Sequence, residues 1–377
     1  MHVLYLTSCL SIGGAQKIIV GLAEQAVECG HKATILTICP GNSYRDRLQE
    51  HGIDYSTLGY DGGFSPTSLF PVARLRSGML QTVREIGPDL IHEQLFIPKI
   101  LSFGMKGIAS VPVVHTQQDT SPWWQGRGTS AKLKTLVERL FSRRTAYINV
   151  AVSRSVLEKM VERGLVREGE GVVINNFTDL VGQRVGVSSR ERTAGQAARI
   201  LMVSRLQWRK KGLDVAIDVL NTLRSGGVDV ELVVVGDGPD RERMVDYAES
   251  KGVLDAVDFR GFEKEVRSHY LQADVLLIPS RWEGLSVTAL ESAAMGLPIV
   301  GTQIGGIKEI VVDDKTGYTC PPEDVTCLAK RIRVLLENEE RRAEFSRKSI
   351  ERAKRKYSPR ASFKTYEELY RCCLPSG

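Results

Sequence analysis

The sequence predicts an α/β protein of two doubly wound domains, each a parallel sheet covered by helices. Three observations carry this. Short apolar runs of strand length alternate with stretches of helical period from end to end, the pattern of repeated β-α-β units. The chain has 377 residues, too many for one ordinary core and suited to about two. The polar stretch "VGVSSRERTAGQAARI" (Val185 to Ile200) has no apolar period and precedes a fresh strand, which reads as a linker.

Taken in order, "HVLYLT" (His2 to Thr7), "KATILTI" (Lys32 to Ile38), "DLIH" (Asp89 to His92), "VPVVHT" (Val111 to Thr116) and "YINVAVS" (Tyr147 to Ser153) read as strands of the first domain. Helical stretches such as "AQKIIVGLAEQAVECG" (Ala15 to Gly30) lie between them. "RILMVSRL" (Arg199 to Leu206), "ELVVVGDGP" (Glu231 to Pro239) and "ADVLLIPS" (Ala273 to Ser280) continue the theme in the second. The domain boundary is expected near residue 185, giving 1–184 and 185–358, with a cleft between the two domains.

Composition places the chain among folded globular proteins, 42% hydrophobic and 25% charged, and sets aside disorder and collagen-like classes. No apolar run approaches the roughly 20 residues a membrane span needs. The opening "MHVLYLTSCLSIGG" lacks a basic segment and reads as a strand rather than a secretion signal. The 7 cysteines are odd in number and show no zinc-type spacing, so a reducing cytoplasm is the expected compartment. The net charge of +6 is mild but uneven: between Arg127 and Arg167, basic residues outnumber Glu138, Glu158 and Glu162. "SAKLKTLVERLFSRR" (130–144) reads as a basic amphipathic helix, with Leu133, Leu136, Val137, Leu140 and Phe141 on one side. Such a helix can rest on an anionic membrane, here the inner face of the cell membrane, or it is an ordinary solvated face over a core stripe. No nucleic-acid-binding motif accompanies the charge, so no nucleic-acid partner is expected.

Chemistry-bearing residues fall at strand-to-helix loops, where open α/β sheets place their ligands. Gly13 and Gly14 separate the first strand from the first long helix, which lets a ligand approach the backbone at a helix N-terminus; a plain tight turn explains them equally. In "VSRLQWRKKG", Arg205 stands just past a strand and Lys211 just before Gly212. A planar fork and a point charge together suit a diphosphate. Gly236 and Gly238 mark the next such turn, and Gly261 and Phe262 the one after, where an aromatic side chain can face a nucleobase. In "RWEGLSVTALE" (Arg281 to Glu291), Glu283 lands on the loop after a strand and Glu291 in the second turn of the following helix, with Gly284, Leu285 and Ser286 between strand and helix. The chain has no Asp-x-Asp pair and no His, Cys and carboxylate cluster, so no metal site is expected.

Two glutamates seven residues apart, preceded by "IPS" and followed by "AAMGLPIVGTQIGGIKEIV", resemble the signature of glycosyltransferase family 4. The likeness covers nearly the whole chain: "GGAQ" with "CGHKATILT", "INNFTD", "VSRLQWRKKGLDVAI", "VVVGDGPDRERM", "FRGF" and "KTGYTCPPED" follow in order. The resemblance implies a retaining, metal-independent transferase of the GT-B fold using a nucleotide-diphosphate sugar as co-substrate. It implies that Arg205 and Lys211 bind the diphosphate, assisted by Gly14 and the backbone at Gly284 and Leu285. Glu283 would meet the transferred sugar and Glu291 the ribose. The first domain would hold a glycan or lipid-linked acceptor, and "SPRASFKTYEELYRCCL" would form a helix crossing back to it (about 359–377). The family often carries a histidine two residues after a threonine at the end of the strand resembled by "VPVVHT". Gln118 stands there instead; it can hydrogen-bond a sugar hydroxyl but cannot titrate. His115 is expected to be a packed strand residue. Rival readings are an epimerase or sugar-phosphate glycosyltransferase on the same fold, and a non-catalytic nucleotide-sugar binder.

Overall fold

The structure is a computed structural model describing residues 1–61, 69–102, 111–120, 132, 135–136, 138–140, 148–183 and 195–374. It divides into two compact units: Met1–Asn176 with Pro359–Gly377, and Phe177–Ser358. The division thus falls at 176/177 rather than near 185, because Phe177 and Thr178 already belong with the second unit. There the Thr178 amide donates to the Tyr357 carbonyl at 3.1 Å.

Seven strands build the first unit's sheet: β1 (His2–Thr7), β2 (Lys32–Thr37), β3 (Asp54–Thr57), β4 (Leu90–Gln94), β5 (Val113–Gln117), β6 (Ile148–Ala151) and β7 (Gly171–Val173). Their order is β3-β2-β1-β4-β5-β6-β7 and every pairing is parallel. The second unit's six are β8 (Ala198–Val203), β9 (Val230–Val235), β10 (Val257–Gly261), β11 (Val275–Ile278), β12 (Ile299–Thr302) and β13 (Gly317–Cys320), in the order β10-β9-β8-β11-β12-β13, again all parallel. The central strands are the apolar ones. In β1, Val3, Leu4, Tyr5 and Leu6 are fully buried, and in β11 so are Val275 and Leu276. A parallel sheet covered on both faces requires this, since no face meets water. In both sheets the strand order reverses beside the first strand, between β1 and β4 and between β8 and β11. Connections there leave in opposite directions and open a crevice at the carboxyl ends.

The C-terminal helix Pro359–Cys373 belongs to the first unit and packs on the helix Gly14–Glu28. Phe363, Tyr366 and Tyr370 are its buried stripe, at the spacing one helix face requires. Polar contacts fix it on the sheet: His92 bridges the Tyr370 hydroxyl (2.5 Å) and Thr116 Oγ1 (2.8 Å), and Thr116 meets the Tyr366 hydroxyl at 3.1 Å. Most of 130–144, the expected basic helix, lies outside the described residues. Cys320 and Cys327 form a disulfide, which the cysteine count did not reveal.

Burial depresses the His92 imidazole to about 3 from 6.5, and burial likewise lowers His115. Both are neutral in the fold and protonated on unfolding below 6.5. Their contribution to stability is therefore complete above about 6.5 and is lost progressively as pH falls, at up to about 1.4 kcal/mol per pH unit for each. Urea denaturation at pH 7, 6 and 5 should show this decline, and His92→Asn should flatten its slope. An equal slope in both proteins would remove His92 from the explanation.

Candidate active site

The second unit gathers its functional residues at the β8/β11 switch point. Arg205 follows β8 and is exposed. Its loop is tied to its neighbours by Leu206 N donating to the Asp237 carbonyl (3.0 Å) and Gly236 N to the Gly261 carbonyl (2.7 Å). Lys211 ends the short helix Trp208–Lys211, and Gly212 then turns the chain with φ 64° into the helix Leu213–Ser225. A Cβ at Gly212 would sit 2.2 Å from the Pro279 carbonyl oxygen. Left-handed φ and close approach together leave room for glycine alone. That contact sets the lysine loop directly on the loop after β11.

Lys211 Nζ donates to Glu283 Oε1 across that contact, and Ser280 Oγ donates to the same oxygen at 2.9 Å. Ser280 is held in turn by Thr302 Oγ1, which donates to its carbonyl at 2.5 Å. Glu283 is 8% exposed. Burial pushes its carboxyl up, but the charges of Lys211 and Lys210 and the hydrogen bonds from Lys211 and Ser280 outweigh this and hold it below its ordinary value. The site thus keeps an ionised carboxylate and an ammonium together in a dry setting, where charges act strongly.

The helix after Glu283 begins at Val287, and Gly284, Leu285 and Ser286 lie between strand and helix as the pattern expects. Ser286 is its N-cap and accepts from the Ala289 amide at 3.3 Å, so this hydroxyl is spent on the helix. Gly284 and Leu285 lie ahead of the cap, pressed against Gly306, where an added Cβ would meet the Gly284 oxygen at 2.2 Å. Glu291 is 3% exposed and accepts from the Tyr270 hydroxyl at 2.7 Å. Phe262 is 56% exposed, beside Gly261 with φ 71°, a free aromatic face at the end of β10.

In the first unit, Gly13 is the N-cap of the helix Gly14–Glu28, and among the described residues no side-chain hydrogen bond caps this helix. Its first amides are therefore left for a ligand or water. Gln118 follows β5; its Nε2 donates to Gln94 Oε1 (3.1 Å) and its Oε1 accepts from Asn176 Nδ2 (2.9 Å). The amide is anchored at both ends by neutral groups. His115 is fully buried inside β5, against Glu93 Oε1 (3.1 Å) and Gln117 Oε1 (3.3 Å), a packed strand residue.

Several residues at these sites were not singled out from sequence: Lys210, Ser280, Gln94 and Asn176, and two orphaned donors. Ser204 Oγ, next to Arg205, and Trp282 Nε1, next to Glu283, are buried without a hydrogen-bond partner among the described residues. Buried donors left unpaired cost stability, and an arriving ligand can satisfy them. Among the described residues no group of three or more His, Cys, Asp or Glu side chains could hold a metal ion, and no helix is long and apolar enough to cross a membrane.

Two parallel-sheet units of this topology, with loop cations and carboxylates at a switch point, define a GT-B glycosyltransferase. Residues 12–181 match Glycosyltransferase Family 4 and residues 188–352 match Glycosyl transferases group 1. The chain belongs to the family 4, group 1 glycosyltransferases. It is 26% identical to a glycogen synthase of Mycobacterium tuberculosis, over 90% of this chain and 87% of that one. It is 25% identical to the N-acetyl-alpha-D-glucosaminyl L-malate synthase of Bacillus anthracis, over 97% and 95%. Among solved structures, Anabaena HepE in complex with UDP and glucose matches with TM-score 0.85 at 21% identity, covering 99% of this chain and 100% of that one. The sucrose-phosphate synthase of Thermosynechococcus elongatus matches at 0.80 and 20% identity, covering 98% of each.

Proposed function

We propose that this glycosyltransferase moves a sugar, with retention and without a metal, from a nucleotide-diphosphate sugar to a glycan or lipid-linked acceptor, in the synthesis of bacterial envelope polysaccharide or glycoconjugate. The observation that carries the reading is the part-buried Lys211–Glu283 contact at the β8/β11 switch point, with Arg205 on the adjoining loop. When the sugar–oxygen bond breaks, negative charge builds on the β-phosphate, and a preorganised cation must meet it. Lys211 supplies a compact ammonium and Arg205 a fork that can take two phosphate oxygens. Glu283 lies where the transferred sugar would be held, Glu291 meets the ribose, and Phe262 faces the base. The family resemblance implies that Gly14 assists at the diphosphate. Gln118 orients a sugar hydroxyl but takes no proton, so the acceptor proton goes to the leaving phosphate oxygen. HepE was solved with UDP and glucose, which makes UDP-sugars the first donors to try. The basic segment 130–144, expected from its sequence to be an amphipathic helix, would make a peripheral contact with anionic lipid on the cytoplasmic face; of its described residues, Leu136 and Leu140 stand 52% and 51% exposed, as a lipid-facing side requires.

A thermal-shift panel of nucleotide sugars tests the donor, since a ligand at about 100 times its Kd stabilises by about 2.7 kcal/mol. With the donor found, nucleotide-diphosphate release should survive excess chelator. It should fall by about 100-fold or more in Lys211→Met and Arg205→Ala, since a preorganised group of this kind is worth about 2.7–4 kcal/mol. Loss of activity in chelator, restored by magnesium or manganese, would sink the metal-independent mechanism. Donor binding without release in the presence of any acceptor would leave a binding protein. For the membrane contact, Leu136→Glu with Leu140→Glu should abolish flotation with vesicles of anionic phospholipid. Flotation that persists, or that never occurs in the unaltered protein, removes the helix from the proposal.

A further inference from the structure

Arg281, two residues ahead of Glu283, is the most heavily bonded side chain around the site. Its backbone amide donates to the Lys210 carbonyl at 2.9 Å. Its guanidinium donates to the Arg209 carbonyl (3.2 Å), to both Asp214 oxygens (3.0 and 2.7 Å), and through Nε to Glu323 Oε1 (2.7 Å). These partners sit on three separate pieces of chain. Arg209 and Lys210 belong to the short helix that carries Lys211, Asp214 opens the helix after Gly212, and Glu323 stands on the loop after β13. Arg281 itself sits on the fourth piece, the loop that carries Glu283.

We propose that Arg281 is a positioning residue for sugar transfer: together with Asp214 and Glu323 it clamps the Lys211 loop to the Glu283 loop and so fixes the cation–carboxylate geometry of the reaction centre. A fork with five donors and a fixed plane can hold several pieces of backbone in one arrangement, which a lysine cannot. Arg281 is 20% exposed and Asp214 24%, so the bidentate pair is shielded enough to hold its geometry. The third strut is itself constrained. Glu323 has φ 67°, a conformation uncommon for a side-chain-bearing residue. It lies inside the Pro321–Thr326 segment that the Cys320–Cys327 disulfide closes. Asp324, the next residue, caps the helix Val325–Glu337 by accepting from the Cys327 amide at 2.9 Å. The β13 loop is thereby a stiff bracket for one carboxylate aimed at Arg281.

The clamp holds together a lysine and a glutamate 72 residues apart in sequence, one at the end of a four-residue helix and the other on a loop. A loop shift of about 1 Å at such a site can cost about 100-fold in rate, so loops that carry the chemistry need a brace of this kind.

This inference rests on the proposed function, and its test is arranged so that the two can fail separately. Glu283 in the full chain is followed by 13C NMR with glutamate labelled at Cδ, its signal assigned with Glu283→Gln. The unaltered protein, Arg281→Met, Arg281→Lys and Asp214→Asn are compared, with Glu323→Gln on the exposed loop as the mildest variant. The clamp predicts that the Glu283 titration midpoint rises in Arg281→Met and Asp214→Asn while the melting temperature shows a folded chain. Loosening the loops would take Lys210 and Lys211 away from the carboxylate. With UDP-glucose, or whichever nucleotide sugar the panel selects, kcat should fall by about 100-fold in Arg281→Met with donor Kd changed by less than about threefold. Arg281→Lys keeps the charge and should recover only a small part. A purely structural role would lower the melting temperature and the active fraction but leave the Glu283 midpoint in place; that result, in folded Arg281→Met and Asp214→Asn, overturns the proposal. If Arg281→Met does not fold, Asp214→Asn and Glu323→Gln decide it by the same midpoint. An unaltered protein that binds no nucleotide sugar defeats the functional reading, while the titration still decides the clamp.

Discussion

The contact between Lys211 and Glu283 is the constraint around which the second unit is arranged. Taking two charges out of water costs several kcal/mol for each ion, and their attraction repays this only with good geometry and further hydrogen bonds. The surroundings supply both. Ser280 gives Glu283 a second donor, Thr302 holds Ser280, and the bare α-carbon of Gly212 lets the lysine loop press on Pro279. None of this is needed for a sheet of this topology to fold. It is needed if an ammonium and a carboxylate are to wait together for a phosphate and a sugar.

The two sheets use one geometric device for different chemistry. Each reverses its strand order beside its first strand, and each places its polar residues at the carboxyl ends there. In the second unit those residues are charged and lie on loops. In the first, the amide of Gln118 is anchored between Gln94 and Asn176, and Glu93 and His115 lie buried together on β4 and β5. Behind them His92, Thr116, Tyr366 and Tyr370 lock the C-terminal helix to the sheet through short polar contacts. The final helix therefore completes the core of the first unit.

Much of this was legible in the sequence, for physical reasons that also explain the gaps. Central strands such as β1, β9 and β11 are nearly continuous apolar runs because both their faces are covered. The edge strands β3, "DYST", and β7, "GVV", are short and carry no such signal. Glu283, Lys211 and Arg205 stood out because they follow strands. Their mutual geometry did not, since pattern says nothing about which loops touch. Nothing in the pattern singled out Arg281 or Asp214, whose partners are set by which loops touch. The Cys320–Cys327 link was hidden because pairing cannot be deduced from spacing when the cysteine count is odd.

The central claim is that Lys211 and Glu283 act as one unit in transfer, and a double-mutant cycle tests it most directly. Nucleotide-diphosphate release would be measured for the unaltered protein, Lys211→Met, Glu283→Gln and the double variant, at saturating donor. A working pair predicts that each single change costs most of the activity and the double costs little more than the worse single, a coupling energy of about 0.5–3 kcal/mol. Losses that multiply in the double variant would show two independent groups that merely lie side by side, and would contradict the account.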